Sequence, residues 1–367
     1  MGQRFSKIEA SLLAPSMEGN LDEVKLLVGK FIAECKNEND CYALKHFVDR
    51  KDPAGNTAIH GAVFSGHLEV GQFNCVGNYF IIICVPHNGL GCTPLWIAAG
   101  YNRMDCLEYL IRKISQMVED NKCDVFAQYL LDANDSGDSP FLAAASRGNA
   151  DVCRCLLGSI DTFFEGKHEW KDDAKRKLLR TANKAGDTPL KVAVAAGHDI
   201  ELLTFLLESD LSLRDSDGPL QDDELCINRK NKLGLTPLII ACERNLSFVV
   251  ELLMKFGADT HVRDSKGRNI LAIASFCGCD DVVRLLISRM KQSTSESVIL
   301  LLDERDYLGC TPLWLAARTG KLSVVELLVD AGADETIADD KGLSPAEVAS
   351  IFKKEKVDEY FKRRSRS

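Results

Sequence analysis

The chain has 367 residues, a formal net charge of −9 at neutral pH and 46% hydrophobic residues. This acidic balance argues against a general nucleic-acid-binding surface, for which a basic domain is expected. The longest apolar run, Tyr79 to Val85, is far shorter than the roughly 20 residues that a membrane span needs, so no span is predicted. Fourteen cysteines scattered through helical segments favour reduced thiols over a disulfide framework.

The first residues carry a lipidation pattern. After removal of the initiator methionine, Gly2 is followed by three variable residues and Ser6, which is the pattern of N-myristoylation. A single myristoyl chain binds membrane only marginally, and Arg4 adds a weak basic signal. We therefore predict that residues 1–16 are a flexible segment that tethers the chain reversibly through Gly2. The alternative is an unmodified flexible start.

An amphipathic helix is predicted over Asn20 to Phe31, where apolar residues recur at helical spacing. No clear helix precedes it, because Pro15 and Ser16 punctuate the chain. Residues 17–50 are therefore predicted to be a terminal cap and linker for the repeated elements that follow.

One phrase then recurs to the end of the chain, and its clearest copy is Gly309 to Lys341. Thr311 and Pro312 predict a helix start, because a hydroxyl can cap a helix and proline is already set to helical φ. Apolar spacing predicts a short helix, a break at Gly320 and a second helix that ends near Gly332. Its opening Gly-Cys-Thr-Pro-Leu-Trp also occurs at Gly91, and looser copies begin at Gly55, Gly137, Gly186, Gly234, Gly267 and Gly342. Such short helix pairs cannot bury their apolar faces alone, so the copies are expected to stack.

The Gly-x-Thr-Pro-Leu start, the glycine break, the Val-Val-x-x-Leu-Leu helix and the Gly-Ala-Asp turn together resemble the ankyrin-repeat family over residues 17–364. The resemblance implies an all-α fold, an ankyrin-repeat solenoid of stacked helix-turn-helix units with β-turn tips. It implies about eight repeats over residues 51–364, after a capping half-repeat and linker at 17–50.

The repeat pattern is irregular in several places. Residues 71–87 are atypical, and two interpretations are open: a deformed second helix, or a stretch foreign to the repeat such as an alternative exon or translated intron. Insertions relative to the repeat lie at 120–135, 161–184, 209–233 and 291–306. The first two are predicted to be largely helical, and 209–233 is predicted to be a loop.

The histidine expected in each repeat is present only as His60, where the resemblance implies a side chain that braces adjacent turns. Other residue types at this position put a continuous bracing network in doubt, and we expect apolar packing to replace it, notably at Trp96 and Trp314.

No catalytic, metal or cofactor site is predicted. Cys153 with Cys155, and Cys277 with Cys279, are separated by one residue each and lack the partners of a zinc site, so they are interpreted as structural. The sequence has no phosphate-binding loop and no hydrolase or metalloprotease motif, which indicates a protein that is not an enzyme.

The resemblance implies a protein-binding surface at the inner ends of the first helices and at the turn tips. The residues at those positions are Phe64, Tyr101, Arg147, Lys232, Arg244, Lys266, Arg268, Phe276, Tyr307, Leu308 and Arg318. Arginine and aromatic side chains dominate interface energetics, and arginines on an acidic chain favour an acidic or phosphorylated partner segment. The alternative is an ordinary solvated surface.

The predicted function is a monomeric protein-interaction scaffold or adaptor, cytoplasmic and held reversibly at the cytosolic face of a membrane through Gly2, without nucleic acid. One alternative is a soluble cytosolic or nuclear regulator or inhibitor subunit, with the basic residues Lys362 to Arg366 as a nuclear address. Another is a substrate-presenting subunit of a ligase or phosphatase complex.

Overall fold

The computed structural model describes residues 12–34, 50–73, 86–118, 123–165, 168–213, 225–292 and 302–365. Gly2 and most of the atypical stretch 71–87 lie outside these ranges. All regular structure within them is α-helical. None of the described helices combines the length and apolar character that crossing a bilayer requires.

The chain divides into two compact units, residues 1–184 and residues 185–367. The described part of unit 1 contains α1 (Leu13–Glu18), α2 (Leu21–Glu34), α3 (Ala58–Ser65), α4 (Leu68–Phe73), α5 (Pro94–Gly100), α6 (Met104–Met117), α7 (Cys123–Leu131), α8 (Pro140–Ser146), α9 (Ala150–Phe163) and α10 (His168–Arg180). The described part of unit 2 contains α11 (Pro189–Ala196), α12 (Ile200–Ser212), α13 (Pro237–Glu243), α14 (Ser247–Lys255), α15 (Ile270–Cys277), α16 (Asp280–Gln292), α17 (Pro312–Thr319), α18 (Leu322–Asp330), α19 (Pro345–Ile351) and α20 (Glu355–Arg364).

The first helix of a repeat starts at a buried cap. The Thr311 hydroxyl accepts a hydrogen bond from the Trp314 backbone N–H at 3.2 Å, as the Thr-Pro pattern predicts. At α15 the Asn269 amide oxygen replaces the hydroxyl and accepts from the Ala272 N–H at 2.7 Å. Almost every residue of such a first helix is buried, whereas the second helix buries only one face.

The helices stack as predicted within each unit. In unit 1 the first helices α1, α3, α5 and α8 contact one another in succession, and in unit 2 the same is true of α11, α13, α15, α17 and α19. The second helices form a parallel set, since α12 contacts α14, α14 contacts α16 and α16 contacts α18. The stacking of neighbours buries the faces that an isolated helix pair would expose.

The tips between repeats are tight turns joined to each other. At one tip the Asp306 carboxylate accepts from the backbone N–H groups of Leu308 and Cys310, at 2.9 Å and 2.8 Å. The Asp340 N–H of the next tip donates to the Leu308 carbonyl at 3.1 Å. Gly309 has a φ of 77°, and a Cβ there would lie 2.8 Å from the Asp340 nitrogen, so the position requires glycine.

A side-chain brace joins successive repeats, and here one sequence prediction is wrong. The neutral His60 donates from Nε2 to the Cys92 carbonyl at 3.0 Å while Nδ1 accepts from Thr57, and burial lowers its pKa to about 4. Trp96 occupies the same repeat position, and its indole N–H donates to the Asp138 carbonyl at 2.9 Å.

The second tryptophan makes the same bond in unit 2, where Trp314 donates to the Leu343 carbonyl at 3.0 Å. In all three cases the accepting carbonyl belongs to the residue before the next helix cap. The two tryptophans therefore supply a hydrogen bond, not only the apolar packing that we expected from the sequence.

Lys191 stands at this position in α11 and behaves differently. Its side chain is fully buried, and its ammonium group donates to the Gly186 carbonyl of its own repeat at 3.0 Å. Burial lowers the pKa of this lysine to about 8, because the charged form is poorly solvated. At this repeat the hydrogen bond therefore stays within the repeat and does not reach the next one.

The N-terminal end of the repeats differs from the sequence prediction, which found no clear helix before Asn20. Residues Leu13–Glu18 form a short helix, and Pro15 lies in its first turn, where a missing N–H costs nothing. A Cβ at Gly61 would lie 2.6 Å from Met17 and 3.0 Å from Leu13, so glycine lets α1 approach α3 closely.

Helices occupy the first two insertions, as predicted. α7 packs against α6, α8 and α10. Its Phe126 stacks on Phe163 of α9 with ring centroids 4.0 Å apart. The predicted loop at 209–233 differs at its start, because α12 continues to Ser212. Asp210 then accepts a hydrogen bond from the Cys226 N–H at 3.0 Å.

The brace can be tested with Trp96→Phe, which keeps an aromatic ring but removes the N–H that reaches Asp138. We expect a loss of about 1–2 kcal/mol in the free energy of unfolding, because the Asp138 carbonyl loses its partner. Urea unfolding followed by circular dichroism measures the effect. Trp170→Phe is the matched control, since Trp170 is 48% exposed on α10, and an equal loss in both variants would contradict the brace.

Candidate functional site

The three predicted binding residues of unit 1 lie together. Phe64, Tyr101 and Arg147 occupy the last turn or the C-cap of α3, α5 and α8, so the stacking of these helices places them in one row. The Phe64 and Tyr101 rings meet edge to face with centroids 4.7 Å apart. The Arg147 guanidinium lies 4.2 Å from the centroid of Tyr101 and 5.3 Å from that of Trp96.

These residues line a groove of about 420 Å³ in unit 1. Its apolar surface comes from the row itself and from Leu13 and Met17 of α1. Its lining also has polar groups, with Asp135 at a tip and an amide contact in which the Asn88 side chain donates to Asn56 at 3.0 Å. An apolar floor beside a few fixed polar groups is the usual character of a binding groove.

The charge of Arg147 is held in place but not neutralised. Its guanidinium rests on two aromatic faces, and no described carboxylate forms an ion pair with it. Gly100 leaves room for it, since a Cβ there would lie 2.5 Å from Nη1 of Arg147. A guanidinium fixed on rings offers its remaining N–H donors to a carboxylate or phosphate.

The predicted binding residues of unit 2 fall into three groups. Five are exposed at tips or helix ends, namely Lys232, Arg244, Lys266, Tyr307 and Leu308. Tyr307 and Leu308 are 72% and 64% exposed, and the Tyr307 ring packs against Gly267. Arg318 and Phe276 are half-buried, and Arg268 is buried.

Arg268 has a structural role in the turn that Asp264 begins. It is 8% exposed and pairs with Asp264 at 2.6 Å, and its guanidinium lies 4.9 Å from the Phe276 ring. Asp264 also accepts the Lys266 and Arg268 backbone N–H groups that shape this turn. The predicted pairing of Arg268 with a partner would therefore compete with a buried ion pair.

Arg318 lies in an arrangement that resembles the one around Arg147. Its guanidinium lies 5.7 Å from the centroid of Trp314 and 5.1 Å from that of Phe352. Sequence reasoning missed Phe352, although it follows Gly342 by the same interval at which Tyr101 follows Gly91. The repeat register of the last copy is the signal that could have found it.

The cysteines do not assemble a site in the described ranges. The nine cysteines whose side chains the structure describes are free thiols, and no group of three His, Cys, Asp or Glu residues in the described ranges is placed to hold a metal ion. The neighbouring Cys279 thiol lowers the pKa of Cys277 to about 7, and the pKa of Cys279 rises in turn. Burial raises the pKa of the Cys153 thiol to about 12.

The C-terminal basic residues have acidic partners. Lys362 pairs with Asp358 at 2.5 Å and Arg363 with Glu359 at 3.1 Å, both within α20, while Arg364 reaches Glu335 at 2.9 Å. These pairs are the arrangement of an ordinary solvated helix end.

Comparisons with known proteins agree with the repeat pattern. A family model described as three copies of the ankyrin repeat matches residues 78–161, 114–217 and 220–295. A single-repeat model matches residues 308–340.

Among curated proteins, the chain is 35% identical over 184 residues to NF-kappa-B inhibitor alpha of Rattus norvegicus, covering 47% of this chain and 58% of that protein. It is 30% identical over 167 residues to the nuclear factor NF-kappa-B p105 subunit of Rattus norvegicus, covering 46% of this chain and 16% of that protein. The chain thus spans less than two thirds of the length of these relatives.

Among solved structures, the ankyrin repeat domain of Bcl-3, described as a unique member of the IkappaB protein family, matches with a TM-score of 0.50 and 23% identity. The match covers 71% of this chain and 94% of that one. This likeness is one of fold, and it agrees with the all-α class predicted from the sequence.

The structural part played by Arg268 can be tested directly. Arg268→Ala should lower the free energy of unfolding by about 3–5 kcal/mol, because it leaves the buried Asp264 carboxylate without its partner. Arg289→Ala is the control, since its ion pair with Glu251 is exposed and should be worth about 1 kcal/mol or less. Similar losses in urea unfolding would contradict a special role for Arg268.

Proposed function

The chain belongs to the ankyrin-repeat family, and from that premise we propose that it is a non-catalytic scaffold that binds an acidic segment of a partner protein in the unit 1 groove. The observation that carries the proposal is Arg147, a guanidinium stacked on Tyr101 and Trp96 with no described acidic partner. A carboxylate or phosphate of the partner would form the ion pair that Arg147 lacks within the described residues.

The groove suits a segment that alternates an apolar and an acidic side chain. The apolar side chain would lie against Phe64, Tyr101 and the α1 residues Leu13 and Met17, which share the groove lining. The acidic group would take two parallel N–H···O bonds from the planar guanidinium of Arg147, a geometry that lysine cannot reproduce. Aromatic and arginine side chains at the centre of an interface carry most of its binding energy.

This proposal predicts that Arg147→Ala weakens partner binding by about tenfold or more, because the stacked guanidinium is the central anchor. Affinity capture with mass spectrometry would compare the wild-type chain with the variant, and titration of acidic peptides from the captured proteins would measure the affinity. The control is Arg154→Ala on α9, which removes an arginine paired at the surface with Asp151. Equal capture by all three chains would contradict the groove.

The scaffold is proposed to be a cytosolic monomer that binds reversibly to the cytosolic face of a membrane through N-myristoyl Gly2. The support is the pattern of Gly2 and Ser6, and the attachment would be reversible because one acyl chain binds only marginally.

For the tether, Gly2→Ala should abolish a mass increase of one myristoyl group on co-expression with an N-myristoyltransferase, and it should move the protein from the membrane to the soluble fraction. Gln3→Ala changes a variable position of the pattern and should behave as wild type. An unmodified wild-type chain would remove the tether and leave the groove proposal standing.

A second candidate function is a soluble regulator or inhibitor subunit with a cytosolic and a nuclear phase. It is favoured by the similarity to a protein named as an inhibitor of NF-kappa-B. The nuclear address would be Lys362 to Arg366, and deletion of those residues separates the two candidates, because only the second candidate depends on them for its distribution. A substrate-presenting subunit of a ligase or phosphatase complex would differ from either in its partner alone.

A further inference from the structure

We propose that unit 2 carries a second binding surface, separate from the unit 1 groove, which takes an acidic peptide segment on four unmatched basic side chains. We call Arg318, Lys321, Lys353 and Lys354 the basic row. They lie at the ends of the first helices α17 and α19 and in the turns that follow. This surface goes beyond the proposed function, because it gives the scaffold a second site.

The stacking of repeats fixes the basic row. A Cβ at Gly278 would lie 2.5 Å from Cδ of Lys321, and a Cβ at Gly320 would lie 2.8 Å from Cδ of Lys354, so each lysine stem packs over the glycine turn of the preceding repeat. Stems held in this way keep their ammonium groups in water.

The charge of the basic row is unmatched in an acidic chain. No described carboxylate pairs with any of its four members. Elsewhere in unit 2 exposed arginines do have acidic partners, as in the pairs Arg305–Asp340 and Arg364–Glu335. A local excess of positive charge on a chain of net charge −9 favours an acidic ligand at this place.

An apolar surface accompanies the charge. Phe352 is 46% exposed and lies beside Arg318, and the neighbouring Ile351 is 57% exposed. The Arg318 guanidinium lies over the rings of both Trp314 and Phe352, and these contacts leave its charge available to a carboxylate. A half-buried guanidinium beside two rings suits a peptide carboxylate better than the flat headgroup layer of a membrane, to which exposed charge is sufficient for binding.

The test uses the full chain with Arg147→Ala, so that the unit 1 groove does not contribute. The probe is a fluorescein-labelled decapeptide of alternating glutamate and leucine, titrated by fluorescence anisotropy. Binding should persist in this background and should fall by about tenfold or more on adding Lys321→Glu with Lys354→Glu, because both cations face the probe. Arg318→Lys keeps the charge but not the stacked plane and should weaken binding several-fold.

The control is Lys255→Glu with Lys341→Glu, which makes the same change in net charge at exposed lysines elsewhere in unit 2. It should leave the affinity within about twofold, since distant exposed charges are screened by salt. Thermal melting by circular dichroism checks that each variant is folded.

Three results would overturn the inference. The first is loss of all probe binding in the Arg147→Ala chain, which would leave the groove as the site. The second is an equal loss in the control, which would mean general attraction of charge. The third is binding to phosphatidylserine vesicles, but not to the peptide, that depends on Lys321 and Lys354.

Discussion

The packing within each unit depends on the stacking of buried first helices, and at three repeats a side-chain hydrogen bond joins the first helix to the backbone of the next repeat. His60 makes it in unit 1, and Trp314 makes it in unit 2. Histidine and tryptophan differ in size and shape, but both have a ring N–H. In each case this N–H donates to the carbonyl of the residue before the next helix cap. The bond ties the first helix to the start of the next one, and the stacking of the first helices places their ends in register.

Because the helix ends are in register, residues at the same position of successive repeats lie next to one another and form a continuous surface. Tyr101 and Arg147 come from different repeats, yet they meet because each follows its starting glycine by the same interval. Stacking on a ring orients a guanidinium without cancelling its charge, whereas the ion pair at Arg268 cancels it. The distinction separates Arg268, which is paired within the fold, from Arg147 and Arg318, for which we propose a role in recognition.

Much of this could be predicted from the sequence, because the repeat supplies local signals. Caps such as Thr311 and tip glycines such as Gly309 mark where each element starts, and the apolar spacing marks its buried face. The row of Phe64, Tyr101 and Arg147 followed from register alone. The burial of Arg268 could not be predicted in this way. It depends on how the turn at Asp264 folds back on Arg268, and a pattern of residue types does not specify that geometry.

In the lengthened repeats of unit 1, neighbouring tips stay hydrogen-bonded although residues are inserted between them. The Asp135 N–H still donates to the Leu90 carbonyl at 3.0 Å, although a whole additional helix, α7, lies between these residues in the chain. The connection after a second helix is thus free to grow while neighbouring tips keep their spacing. For protein engineering, these connections are natural points at which a fluorescent domain or an epitope could be grafted while the stacking of the first helices is kept.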